Sequence, residues 1–210
     1  MAEPDEQPAG VDPRGPRSAD VFQRSEAVVL IDGPSGAGKS TFASRLVGDW
    51  PGPVEPILVR MDDVYPGWGG LDAASVQVFR HLLVPRSHGE PGRWRRYDWV
   101  GARPAEWHVV ATGRPLVVEG CGSLSRAAAP LADLRVWIDA PAEVRKDRAL
   151  ARDAGGFDEH WDMWSSQVAR FERREDPRSL ADVVIVNADG EADAWLDAVI
   201  SGTADPRRRP

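Results

Sequence analysis

Apolar residues gather in five short runs along this chain: Ala27–Asp32, Pro56–Met61, Pro115–Glu119, Leu134–Asp139 and Asp182–Asn187. Short, nearly continuous apolar runs of this kind predict strands buried on both faces, as in a parallel sheet. The stretches between them have helical character: Lys39–Gly48, Asp72–Val84, Ala142–Asp153, Glu159–Arg174 and Glu191–Ser201. Trp161, Trp164 and Phe171 fall at helical spacing and read as core positions. Strand alternating with helix predicts an α/β fold with a five-stranded parallel sheet covered on both faces, a three-layer α/β/α arrangement. Ligands of such sheets bind beyond the carboxyl ends of the strands. The residues that close each run are therefore the first candidates for function.

The 210 residues suit one domain, placed at 25–201. Residues 1–24, rich in Pro, Gly and acids, read as a disordered lead-in without a signal-peptide core, and 202–210 as a flexible tail. The segment 85–115, with Gly, Pro, Arg and three tryptophans, reads as an irregular insertion on the substrate side. No internal repeat is present. The net charge of −7 argues against a general nucleic-acid-binding surface. A single cysteine, Cys121, fits a reducing compartment, and no apolar run approaches the length needed to cross a bilayer, so a cytoplasmic protein without membrane contact is expected. His81, His88, His108 and His160 show no metal-ligand spacing with one another or with Cys121.

The first apolar run leads directly into Gly33-Pro34-Ser35-Gly36-Ala37-Gly38-Lys39-Ser40, followed by Thr41. This is G-x-x-x-x-G-K-[ST], the phosphate-binding loop of the P-loop NTPases. Its glycines let consecutive N–H groups turn toward the α- and β-phosphates. Lys39 can then reach the β/γ-phosphates, and the Ser40 hydroxyl can ligate Mg²⁺. The helix that starts here adds its positive end to the same anion. Lys39 is one of two lysines, with Lys146, in a chain that otherwise uses arginine, so a compact ammonium is wanted at this place. The chain is expected to bind ATP with Mg²⁺.

Three further features carry candidate chemistry. The second run ends in Asp62-Asp63, where a carboxylate facing the γ-phosphate, Asp62 being the nearer to the strand, could take the proton of an acceptor hydroxyl or hold the metal's water shell, while the other caps the turn. The third ends in Glu119-Gly120, where the acid could orient a Mg²⁺-bound water or the substrate. Arg148 and Arg152 share one face of the helix after Pro141 and could neutralise a transferring phosphoryl group, with Gly155-Gly156 as the hinge of a lid over 145–160. Arg93-Trp94-Arg95-Arg96-Tyr97-Asp98-Trp99 could stack a planar ring and hydrogen-bond a sugar, or could pack onto the sheet.

In this order the motifs resemble the uridine kinase-like branch of small-molecule P-loop kinases. The likeness spans about residues 25–200 and rests on Ile31 to Thr41, Asp62-Asp63-Val64-Tyr65, Tyr97-Asp98-Trp99, Val118-Glu119-Gly120, Arg148 to Asp153 and Ala181 to Ile185. The resemblance implies transfer of the γ-phosphate of ATP to a hydroxyl or phosphate of a small molecule, with a nucleoside or nucleotide as the expected acceptor. It implies an aspartate of the Asp62-Asp63 pair as base, Tyr97 and Asp98 beside the acceptor, and Arg148 and Arg152 near the phosphates. The family usually has adjacent lid arginines, where Ala149 follows Arg148 here. It also has a histidine and an arginine after its tyrosine–aspartate pair, where Arg103 and, later, His108 stand here. The expected partner is a small-molecule acceptor, with a homo-oligomer left open.

Other P-loop classes fit less well. A guanine-reading switch needs Asn-Lys-x-Asp, yet the only asparagine is Asn187, followed by Ala188. A motor or transport ATPase ends a strand in Asp-Glu, a pair that neither Glu119-Gly120 nor Asp139-Ala140 offers. A protein that binds ATP as a sensor without phosphorylating a small molecule is the remaining alternative.

Overall fold

A computed structural model describes residues 18–152, 158–201 and 203. In chain order the elements are α1 (Ser18–Gln23), β1 (Val28–Asp32), α2 (Lys39–Gly48), β2 (Ile57–Arg60), α3 (Leu71–Gln77), α4 (Val84–Ser87), β3 (Gly92–Asp98), β4 (Arg103–Val110), β5 (Leu116–Glu119), β6 (Leu134–Asp139), α5 (Ala142–Arg152), α6 (Trp161–Glu175), α7 (Pro177–Leu180), β7 (Val183–Val186) and α8 (Glu191–Ile200). All five sequence-predicted strands form, in one parallel sheet of order β2-β5-β1-β6-β7.

Both faces of that sheet are covered. Alternate residues of β1 point opposite ways: Val28 and Leu30 enter one core with Leu71, Leu82, Trp164 and Phe171, while Val29 and Ile31 enter the other with Phe42, Leu46 and Leu196. This is the three-layer α/β/α P-loop fold. Burial of large side chains on two faces supplies its main driving force, at roughly 1.5–3 kcal/mol per Leu, Ile or Phe.

Three expectations change. The lead-in is not featureless throughout, because Val21 and Phe22 in α1 are buried, and Phe22 meets Trp50 edge-on at 4.9 Å between ring centroids. Two apolar side chains in a polar stretch suffice to dock it onto the α2–α8 side of the sheet. The segment 85–115 is not irregular: it holds the antiparallel hairpin of β3 and β4. Arginines on the outer face and a register shift between Arg95 and Tyr97 mask its alternation. The helix expected over 72–84 is α3, a π-helical stretch over Val78–Leu83, and α4. Pro85 brings no N–H to the helix ladder, which is where regular α-helical bonding gives way. Residues 1–17 of the expected lead-in, residues 202 and 204–210 of the expected tail, and residues 153–157 of the expected lid lie outside the described residues.

Candidate active site

Residues 33–38 form a loop between β1 and α2, with Gly33, Gly36 and Gly38 at φ of 147°, 78° and 101°. These values suit glycine. Space reinforces the requirement: a Cβ on Gly33 would collide with the carbonyl oxygen of Ile138, and one on Gly36 with that of Arg145. The loop is thus pressed against the end of β6 and against α5. Lys39, in the first turn of α2, is buried, and its ammonium donates to the Pro34 carbonyl at 2.8 Å. It spans the loop from within, at the position from which it can meet a phosphate.

Neighbouring strands deliver acids to the same place. β5 lies beside β1, with Glu119 level with Ile31 of β1 and with Arg60 of β2. This register brings Oε2 of Glu119 within 3.3 Å of the donating Ser40 hydroxyl. Glu119 is buried, and burial pushes its carboxyl above the ordinary range, opposed by the Lys39 charge. Nη1 of Arg60 stands 3.9 Å from Oε1, a weak pairing, and makes no hydrogen bond there. A hydroxyl and an incompletely compensated carboxylate form a hard-oxygen pair that suits Mg²⁺. No group of three His, Cys, Asp or Glu among the described residues could hold a metal unaided. Mg²⁺ needs no such cage, since it binds through one or two carboxylates with substrate phosphates and water.

Asp62 and Asp63 occupy a single 3₁₀ turn immediately after β2. Partial burial, and then the Asp62 charge, hold the Asp63 carboxyl above its usual value. The Asp62 charge is also felt at Glu119, Tyr65 and Cys121, so the acidic turn borders the phosphate loop's side of the sheet. Tyr65 anchors the turn by donating to the Cys121 carbonyl at 2.8 Å.

The hairpin reaches the same turn from outside. Nε1 of Trp99 donates to the Asp62 carbonyl at 2.9 Å. Trp99 is 5.0 Å from Trp68 and 5.4 Å from Tyr97 between ring centroids, and Trp68 stacks on His160 at 4.4 Å. Trp68 also meets Trp164, whose indole N–H donates to the Ser35 hydroxyl of the phosphate loop at 2.9 Å. A continuous wall of rings therefore runs from the loop to the hairpin tip, with Trp99 partly exposed and Trp164 buried.

Two expected roles take a different form. Oδ1 of Asp98 accepts the N–H groups of Val100 and Gly101 at 3.1 and 3.0 Å, and its other oxygen lies 3.9 Å from Arg103. The turn between β3 and β4 leaves backbone donors open, and Asp98 satisfies them, which holds its carboxyl below the usual range. Asp98 and Arg103 shape the hairpin, and Tyr97 alone of the expected trio joins the ring wall. Arg148 donates to the carbonyls of Asn187 and Ala188 at 3.0 and 2.8 Å, not into the loop. The fork of its guanidinium matches two carbonyls left open at the end of β7. Arg152 closes α5, and its side chain lies outside the described positions.

Asn187, Asp32 and Trp68 are not legible in the sequence as site residues. Asn187 donates to the Ala37 carbonyl at 3.1 Å, bracing the loop from β7. Asp32 is buried and accepts three backbone N–H groups. An acid closing an otherwise apolar strand just before the loop is the available signal. Trp68 lies in a Pro-Gly-Trp-Gly-Gly turn with no periodic pattern to mark it.

A glycine-lined phosphate loop between β1 and α2 of a five-stranded parallel sheet, with lysine and serine in place, defines a P-loop NTPase fold. No protein-family profile matches the chain. It is 32% identical over 145 residues to the tRNA dimethylallyltransferases of two Cereibacter sphaeroides strains, ATCC 17029 / ATH 2.4.9 and KD131 / KCTC 12085. Each match covers 64% of this chain and 44% of the relative, so the chain spans less than half the length of those proteins. Among solved structures, a possible uridine kinase from Bacillus stearothermophilus is 19% identical, covering 76% of this chain and 88% of that one, with a TM-score of 0.47. An uncharacterized protein from Eubacterium ventriosum is 11% identical, covering 85% and 98%, with a TM-score of 0.49.

Proposed function

We propose that the protein is an ATP-dependent small-molecule kinase that transfers the γ-phosphate to a hydroxyl of an uncharged, ring-bearing acceptor such as a nucleoside. The observation that carries this reading is the acidic turn Asp62–Asp63 at the end of β2, set beside Glu119 and roofed by Trp99. A phosphate-loop protein that only hydrolyses or senses ATP needs no second acidic turn under an aromatic wall.

The charge balance of this region favours a hydroxyl over a phosphate acceptor. Arg96 pairs with Glu106 at 2.6 Å, Arg103 with Asp98, and Arg60 with Ser44 and Glu119. Arg96 is closely paired while Arg60 and Arg103 stand 3.9 Å from their carboxylates, and the acidic turn would repel a second phosphate.

In this mechanism the loop N–H groups and Lys39 bind the triphosphate and stabilise charge on the transferring group. Ser40 and Glu119 would hold Mg²⁺, which supplies charge neutralisation at the phosphates when bound. An aspartate of the Asp62–Asp63 pair accepts the proton of the acceptor hydroxyl as the new O–P bond forms and the bond from the γ-phosphorus to the ADP oxygen breaks, and burial, then the Asp62 charge, raises the proton affinity of Asp63. Trp99, Trp68 and Tyr97 hold the acceptor ring in line and exclude water.

The test is incubation with Mg-ATP and a panel of nucleosides, nucleoside monophosphates, sugars and small alcohols, read by mass spectrometry. A gain of one phosphate on an uncharged ring compound supports the proposal. Phosphorylation of monophosphates alone overturns the hydroxyl-acceptor reading. ATP binding without any product favours the sensor alternative.

A further inference from the structure

One buried acid beside the phosphate loop has no part in the mechanism above. Asp32 closes β1 and is almost completely buried. Its Oδ1 accepts the N–H of Gly33 at 2.7 Å and of Gly122 at 3.0 Å, and its Oδ2 accepts the N–H of Leu124 at 2.8 Å. Gly33 opens the phosphate loop. Gly122 and Leu124 belong to the segment that follows Glu119, about ninety residues later. One carboxylate therefore clasps two distant pieces of chain.

Other bonds run along the same strap. Gly120 N–H and the Ser123 hydroxyl both donate to the Ile31 carbonyl at 3.0 Å, and the Cys121 thiol donates to the Gly33 carbonyl at 3.3 Å. The Cys121 carbonyl in turn receives Tyr65, two residues beyond Asp63. The chain of contacts thus passes from the loop through Asp32 and the 120–124 strap to the acidic turn. Glu119 stands at the strap's base.

We propose that Asp32 is a positioning residue that locks the phosphate loop in register with Glu119 and with the acidic turn at Asp62–Asp63. The proposal rests on the kinase reading for its catalytic consequence, and on the hydrogen bonds alone for its structural one. Three donors converging on one side chain require an acceptor without donors of its own. A carboxylate meets that need, whereas an amide would turn its NH₂ toward at least one of them.

The clasp responds to protons. Burial outweighs the three donors and the Lys39 charge and pushes the Asp32 carboxyl up to about 7. The titratable and charged groups around it are Lys39 from α2, Cys121 from the strap and Tyr65 from the turn after β2. Burial holds the last two neutral by raising their proton affinities. A proton on Asp32 belongs on Oδ2, since Oδ1 already takes two N–H groups, and there it weakens the bond from Leu124. Opening the strap would solvate Asp32 and return its carboxyl toward the ordinary range, so the closed clasp holds this proton more tightly than the opened one and acidification through neutrality favours closure.

Two measurements test this. In Asp32→Asn, phosphoryl transfer is expected to fall about 10- to 100-fold through misregister of the two halves, while affinity for a fluorescent ATP analogue stays within about threefold. Parallel loss of binding and transfer would mean that Asp32 merely maintains the loop, and overturns the proposal. Unchanged transfer overturns it as well. In the unaltered protein, amide exchange protection at Gly122 and Leu124, corrected for intrinsic rates, is expected to rise between about pH 8 and about pH 6 as the closed clasp takes up its proton. Constant protection across that range overturns the proposal even if the variant fails to fold. This second readout needs no turnover, so a protein that phosphorylates nothing sinks the kinase reading and leaves the clasp to be judged separately.

Discussion

The Ser40 hydroxyl donates to Oε2 of Glu119 at 3.3 Å across 79 positions of sequence. This bond joins the first turn of α2 to the end of β5, and it marks the place where a divalent cation would sit. Glu119→Gln keeps the shape and removes the charge. The Mg²⁺ concentration needed for half-maximal turnover is expected to rise about 10- to 100-fold. An unchanged Mg²⁺ titration would remove Glu119 from the metal site.

Lys39 touches the loop through one hydrogen bond to Pro34, so its loss should leave the fold standing. Lys39→Ala is expected to lower turnover at least about 100-fold, with a melting midpoint within about 4 °C of the parent. Undiminished ATP consumption would contradict the assignment of the donor site.

Asp63 and Asp62 are separable by pH. A base acts ionised, so the rate should rise with pH through the raised Asp63 value and fall below it. Removing the neighbouring charge in Asp62→Asn lowers that value and should shift the acid limb to lower pH, with transfer retained. Asp63→Asn should remove most transfer and leave ATP binding intact. The reverse pattern, with Asp62→Asn inactive, would make Asp62 the base.

Gly36 has a φ of 78°, and a Cβ there would strike the Arg145 carbonyl. Gly36→Ala is expected to strain the loop by about 1–3 kcal/mol, weakening nucleotide binding about 5- to 100-fold. Calorimetric titration with an ATP analogue gives the answer, and full affinity would show that the loop can shift away from α5.

Trp99 offers a partly exposed ring beside Trp68 and Tyr97. Loss of a stacking partner is worth about 1–3 kcal/mol. Trp99→Ala should therefore raise the acceptor KM about 5- to 100-fold while ATP affinity stays put. A KM that does not move would exclude the ring wall as the acceptor's seat.

Much of this arrangement is legible in the order of residues alone. The five strands and the loop follow from apolar runs and from a glycine spacing that admits one backbone path, because such signals are local. Glu119, Asp62 and Asp63 stand out because parallel strands deliver their last residues to one edge. The hairpin over 92–110 does not, because its outward arginines and its bulge hide the alternation. Residue type and position point Asp98 and Arg148 toward substrate and phosphates, yet Asp98 accepts from the backbone of its own turn and Arg148 donates to carbonyls 39 and 40 residues away. The Asp98 contact is local, whereas the Arg148 contact depends on the tertiary fold.

The sequence by itself determined that a phosphate-binding loop stands between β1 and α2, since its glycine spacing and its charge are written in eight consecutive residues. Only the tertiary structure decided what stands around that grip. The order β2-β5-β1 sets Glu119 against Ser40, the turn after β2 brings the Asp62 charge toward Glu119, and the buried Asp32 ties the loop to the segment after Glu119. These partners are separated by tens of residues, and only the simultaneous burial of both sheet faces brings them into contact.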